Sequence, residues 1–144
     1  MCIRDSTNLR QLLHALRRRL PQSEAYLEVT DKTVRWRGDA PFTLDVAEFE
    51  AALAEAPRSE GSARVAALER SVAAYGGDLL PGCYDDWLLL ERARLLQRFL
   101  DALERLILLL EQRRDYGRAI GHAERLLRHD PLHEAVYRLS LIHI

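Results

Sequence analysis

Between Asn8 and Leu20 the side chains with chemistry to offer recur at three- and four-residue steps: Arg10, Gln11, His14, Arg17 and Arg18. On a helix that spacing places all five on one face. A guanidinium is a rigid fork of donors that pairs bidentately with guanine or with phosphate, and glutamine does the same with adenine. This is the chemistry of nucleic-acid readout, not of bond breaking. An arginine run by itself is more often a solvated face, and His14 fits DNA contact or plain exposure equally well. Three more cations follow, Lys32, Arg35 and Arg37, suited to phosphate contacts.

Other chemistry-bearing groups are weaker. Asp85-Asp86 is a carboxylate pair, but it opens a helix, where capping and the helix dipole account for it. His129, Asp130, His133 and Glu134 suggest a metal site. Pro131 lies between the histidines and breaks the helix, so they do not share a helical face, and no metal or cofactor is expected. Cys2 and Cys83 make neither a disulfide framework nor a ligand cluster; Cys83, in an apolar loop, reads as a buried small hydrophobe. No phosphate loop, nucleophile elbow or HExxH appears. An enzyme has no supporting constellation.

The elements that position these groups come next. Leu9, Leu13, Leu16 and Leu20, with Leu12 beside them, form an apolar stripe opposite the basic face. Thr7 or Asn8 is expected to cap this helix and Pro21 to follow it. From Tyr26 to Arg37 the period changes to two: Leu27 and Val29, then Val34 and Trp36, alternate with polar residues around a turn at Thr30-Asp31-Lys32-Thr33. That predicts a β-hairpin. A basic helix leading directly into a hairpin with a basic outer row is the end of a winged helix, with the helix in the major groove and the hairpin over the backbone.

After Leu44 the period is helical. Asp45 is expected to cap a helix from Val46 to Ala56, with Glu48 completing a capping box and Pro57 as the stop. A second helix runs from about Ser62 to Tyr75, inward through Val65, Leu68, Val72 and Tyr75, and ends at Gly76-Gly77. The loop GDLLPGCYDDW is expected to tuck Leu79, Leu80 and Trp87 between helices. Asp85 or Asp86 then opens a long helix to Arg114. A turn at Asp115-Tyr116-Gly117 leads to a last helix, inward through Ala119, Ile120, Ala123, Leu126 and Leu127, closed by Asp130-Pro131. Two helices, a tight turn and a closing proline make one repeat of about 34 residues, similar to a tetratricopeptide repeat.

The net charge of −1 argues for no particular partner, but its distribution is uneven. Asn8 to Arg37 carries seven basic and three acidic residues, whereas Gly38 onward carries 13 basic and 18 acidic ones. A basic front on an acidic body suggests two parts with different partners. No apolar run approaches the ~20 residues that span a bilayer, and no secretory signal is evident, so a cytoplasmic home is the default. MCIRDS and SLIHI fit poorly with their neighbours; residues 1–6 and 140–144 are expected to be non-native tails on a fragment of a longer protein.

LDVAEFEAAL, ALERSVAAYGGDLLPG, YDDWLLLERARL and RDYGRAIGHAERLLRHDPLHEAVYRL together resemble the bacterial transcriptional activator domain. That is a tetratricopeptide-like helical array found in regulators of the antibiotic-regulatory (SARP) type, behind a response-regulator-type winged helix. The most specific motifs are Gly77-Asp78-Leu79-Leu80-Pro81-Gly82 with Asp86-Trp87, and Asp130-Pro131-Leu132 with Glu134. The resemblance implies a mainly α fold, with residues 7–44 the C-terminal part of a winged helix and residues 45–139 the helical domain. It also implies promoter-DNA binding and contact with RNA polymerase or another regulatory protein, and leaves a homodimer open. The alternative is a tetratricopeptide-like scaffold without DNA binding.

Overall fold

The computed structural model describes residues 3–30, 33–133 and 137. The chain forms two compact units, Met1–Thr43 and Leu44–Ile144. It is mainly helical, with one small hairpin near the start.

In the first unit α1 spans Ile3–Arg19 and α2 spans Ser23–Tyr26. The cap expected at Thr7 or Asn8 is not used, because the helix already begins at Ile3. Three arginines in its last turn complement the negative end of the helix dipole. Pro21 and the left-handed Gln22 (φ 55°) separate α1 from α2, a single turn that periodicity did not reveal. Strands β1 (Leu27–Val29) and β2 (Val34–Trp36) then pair antiparallel, Leu27 opposite Trp36 and Glu28 opposite Arg35. Thr30 and Thr33 close the turn: Thr30 N donates to Thr33 O at 2.9 Å, and Thr33 N donates to Thr30 Oγ1 at 3.0 Å. Phe42 comes within 5.4 Å of the Trp36 ring and 6.4 Å of the Tyr26 ring, centroid to centroid. Asp31 and Lys32 lie outside the described residues.

Among the described residues the second unit has four α-helices, each packed on the next: α3 (Asp45–Glu55), α4 (Gly61–Ala74), α5 (Asp86–Gln112) and α6 (Tyr116–His129). Two corrections concern α3. Leu44, extended at φ −112°, is the N-cap, and Asp45 is the first helical residue. Among the described residues its carboxylate accepts only from the adjacent Val46 N, at 2.8 Å, so it acts on the dipole and forms no capping box. Pro57 does not stop the helix outright; the chain tightens into a 3-10 turn over Ala56–Arg58, where proline costs no hydrogen bond. Tyr75 leaves α4 with extended backbone, and Gly77 (φ 136°) supplies the positive φ.

The core lies along α5. Phe99, Leu103, Leu106 and Leu110 are fully buried, against Val65, Leu68 and Val72 of α4 and Ala119, Ala123 and Leu126 of α6. The α5–α6 turn falls earlier than expected. Arg114 adopts φ 58°, Asp115 is the N-cap, and Gly117 is already helical. The Asp115 carboxylate accepts from Arg118 N at 3.4 Å. Ile120 faces outward, 49% exposed, because Ala119, Ala123 and Leu126 take the contact line. Asp130 ends α6 as expected. The segment 140–144 and Glu134 lie outside the described residues.

Candidate functional site

On α1, Arg10, Gln11, His14, Arg17 and Arg18 are all exposed. At 3.6 residues per turn they fall within an arc of about 120°. The leucines occupy the next arc round. Leu9, Leu12 and Leu16 are exposed, and Leu13 and Leu20 are half-buried. One helix therefore carries a polar, donor-rich face beside an open apolar one.

The hairpin arginines are not free cations. Arg35 Nε lies 3.0 Å from Glu28 Oε2, directly across the strand pair. Arg37 donates through Nε and Nη2 to both oxygens of Asp39, each at 3.3 Å. That bidentate bond raises the Arg37 pKa and lowers that of Asp39. Both acids were legible in principle. Glu28 follows from the register that the Thr30–Thr33 turn imposes, and Asp39 sits two residues beyond Arg37. Lys32 lies outside the described residues.

The loop before α5 departs most from expectation. Leu79 packs against the core, but Leu80 and Trp87 are 53% and 58% exposed, and Tyr84 is 84% exposed. The inward positions of α5 run back from Phe99 and Leu95 to Leu88, which is fully buried. Trp87 is one residue, hence about 100°, off that line. Cys83 is exposed, not buried. What holds the loop is polar. Arg92 donates through Nε to Leu79 O at 2.7 Å, and through Nη2 to Leu80 O at 2.6 Å and Cys83 O at 3.0 Å. Composition gave no signal for this clamp, since Arg92 reads as one more surface charge on an amphipathic helix. Leu80, Tyr84 and Trp87, together with Leu90 of α5 (76% exposed), are left open to solvent.

His129 is a packing group. Its ring meets Phe99 edge-on at 5.2 Å and Tyr75 at 6.4 Å. Tyr75 stacks on Phe99 at 4.2 Å, and the Arg125 guanidinium lies over the Phe99 ring, 4.9 Å from its centroid. Among the described residues no cluster of histidine, cysteine and carboxylate could hold a metal ion. None of the described helices is long and apolar enough to cross a membrane.

This arrangement has a known counterpart. Residues 44–142 match the family model of the bacterial transcriptional activator domain. The match covers more than half of the chain, and the chain belongs to that family, whose members are regulatory domains. No curated protein matches the chain.

Proposed function

We propose that the chain belongs to a DNA-binding transcriptional activator. Residues 7–44 are read as the C-terminal part of a winged helix, and residues 45–139 as the domain that meets RNA polymerase or another regulatory protein. The observation that carries this is the shared exposed face of Arg10, Gln11, His14, Arg17 and Arg18, joined to a helical unit of an activator family. In the major groove that face supplies bidentate donors to base edges. Arg35 and Arg37, and Lys32 in the same hairpin, serve the phosphates. Exposed ion pairs are worth little, about 0–1 kcal/mol, so Glu28 and Asp39 yield their arginines when phosphate arrives. Such a regulator works in the cytoplasm.

The open leucine stripe sets the expected strength. Most helical stability in proteins comes from packing an apolar face, so with the leucines of α1 open this chain binds DNA weakly and with little sequence preference. Anisotropy titration of a labelled duplex across a salt series tests the reading. Binding should fall steeply with salt. Arg17→Glu with Arg18→Glu should abolish it, and Glu28→Gln should strengthen it by freeing Arg35. Salt-insensitive binding, or none lost on the double charge reversal, would favour the second reading. That is a tetratricopeptide-like protein scaffold without DNA binding, for which the exposed Leu80, Tyr84, Trp87 and Leu90 offer apolar contacts.

A further inference from the structure

A groove of about 400 Å³ lies between α4 and α5, beside the 3-10 turn that follows α3. That volume falls within the range of small-ligand sites, roughly 300–1,000 Å³. Pro57, Leu68, Leu108 and Leu109 supply its apolar lining, and Arg64 and Arg105 its charge. On α5, Arg105, Leu108, Leu109 and Gln112 recur at three- and four-residue steps, so they share one face. Leu108 is 48% exposed on a helix whose Leu106, Ile107 and Leu110 are buried. No acidic residue lines the groove.

The two arginines supply an independent observation. From Gly38 onward acids outnumber bases, 18 to 13. Arg70, Arg98 and Arg118 each meet a carboxylate, of Glu55, Glu50 and Glu69 respectively. Arg64 and Arg105 meet none among the described residues. Arg64 donates through Nε to Ala56 O at 3.2 Å and to Ser59 O at 2.8 Å. Those bonds tie it to the 3-10 turn and leave both terminal nitrogens without a described partner. Arg105 has no described hydrogen-bond or ion-pair partner at all. Asp101, one turn earlier on α5, accepts from Gln97 at 2.9 Å.

We propose that this groove docks a short acidic segment of a partner protein, in which bulky aliphatic side chains are flanked by carboxylates. The aliphatic groups cover Leu108 and Leu109. The carboxylates pair with Arg64 and Arg105, whose planar forks match them. Nucleic acid fits less well. It brings no aliphatic group to the apolar lining, and the acidic surplus of the unit repels a long polyanion. The inference rests on the reading above that the helical unit meets a protein, and it gives that contact a place and a chemistry. DNA binding by α1 does not enter it.

The test is a fluorescence-anisotropy titration of the full chain at pH 7 with a labelled, end-blocked peptide, Gly-Glu-Glu-Leu-Leu-Glu-Glu-Gly. Amide-detected NMR locates the contact. The peptide should saturate below ~1 mM, shift Leu68, Leu108 and Leu109, and weaken with salt. Its lysine-for-glutamate and alanine-for-leucine counterparts should each bind about tenfold more weakly. Arg105→Glu, at an exposed residue with no partner to lose, should weaken binding about tenfold. Arg128→Glu makes the same charge change on α6, outside the groove, and should leave binding within about twofold. Equal losses for the two variants, equal binding of the lysine peptide, or displacement of the peptide by a DNA duplex would overturn the proposal. Shifts confined to Trp87 and Leu90 would overturn the groove while leaving the unit a protein-binding one. Absence of saturation would overturn the groove alone, because the duplex salt series decides the reading above separately.

Discussion

Replacing Arg92 by alanine removes three hydrogen bonds that hold residues 79–83 to α5. Charge-assisted bonds contribute about 1.5–3 kcal/mol each when shielded. Only the Nε bond to Leu79 O is partly buried; the two from Nη2 are exposed, and water replaces most of what they give. The loop also carries Leu79, which packs against the core, and loosening it uncovers part of that side chain. Together these set the loss at about 2 kcal/mol. In a unit of this size each kcal/mol moves the midpoint by about 4–8 °C, so Arg92→Ala should melt about 10 °C earlier. Arg92→Lys should recover only part of the loss, because one ammonium cannot copy a planar fork reaching three carbonyls. Urea unfolding gives the free energy, and hydrogen exchange at Leu79, Leu80 and Cys83 reports the loop. If Arg92→Ala stays within ~0.3 kcal/mol of the parent, or if lysine substitutes fully, the clamp is decoration and the loop is held by its apolar residues.

Two further outcomes are expected. Trp87→Ala should change stability by no more than ~0.5 kcal/mol, as an exposed site does, whereas Phe99→Ala should cost about 3–5 kcal/mol; equal losses in urea unfolding would mean that the α5 register is wrong. Stability should also respond to His122. Its pKa is lowered, first by burial, with Glu69 opposing. The unfolded chain therefore binds the proton more readily, and the contribution is fully present above the ordinary histidine value and lost as pH falls below it. His122→Gln should shrink the stability difference between about pH 7.5 and 5.5; an unchanged difference would show that His122 is not its source.

Much of the helical unit was legible because its signals are local and repeated. The period of Leu103, Leu106, Ile107 and Leu110, and the stop at Asp130-Pro131, each follow from one rule of chain geometry. The hairpin from Tyr26 to Arg37 was legible for the same reason. The failures share a different cause. Leu80, Trp87 and Ile120 are apolar residues that sequence assigns to the interior, yet a small unit cannot cover every apolar side chain. Which ones stay outside depends on a rotation of α5 or α6 by a fraction of a turn. Arg92 was missed because its partners are backbone carbonyls, which every residue has. In the candidate site the α1 face could be read from spacing, as could Asp39 two residues beyond Arg37, but the pairing of Arg35 with Glu28 required strand register.

The ring contacts of Phe49, Tyr75, Phe99 and His129 bear on how the unit comes apart. Helical repeats that touch only their neighbours can fray from an end, one repeat at a time. Here Tyr75, just past α4, touches Phe49 of α3, Phe99 of α5 and His129 of α6. Neither helical hairpin holds the complete set alone. Peeling α6 away therefore also disturbs the packing of the first hairpin. The unit should lose its structure in one sharp step, and a chain emerging from the ribosome should acquire its full rigidity only after α6 has been made.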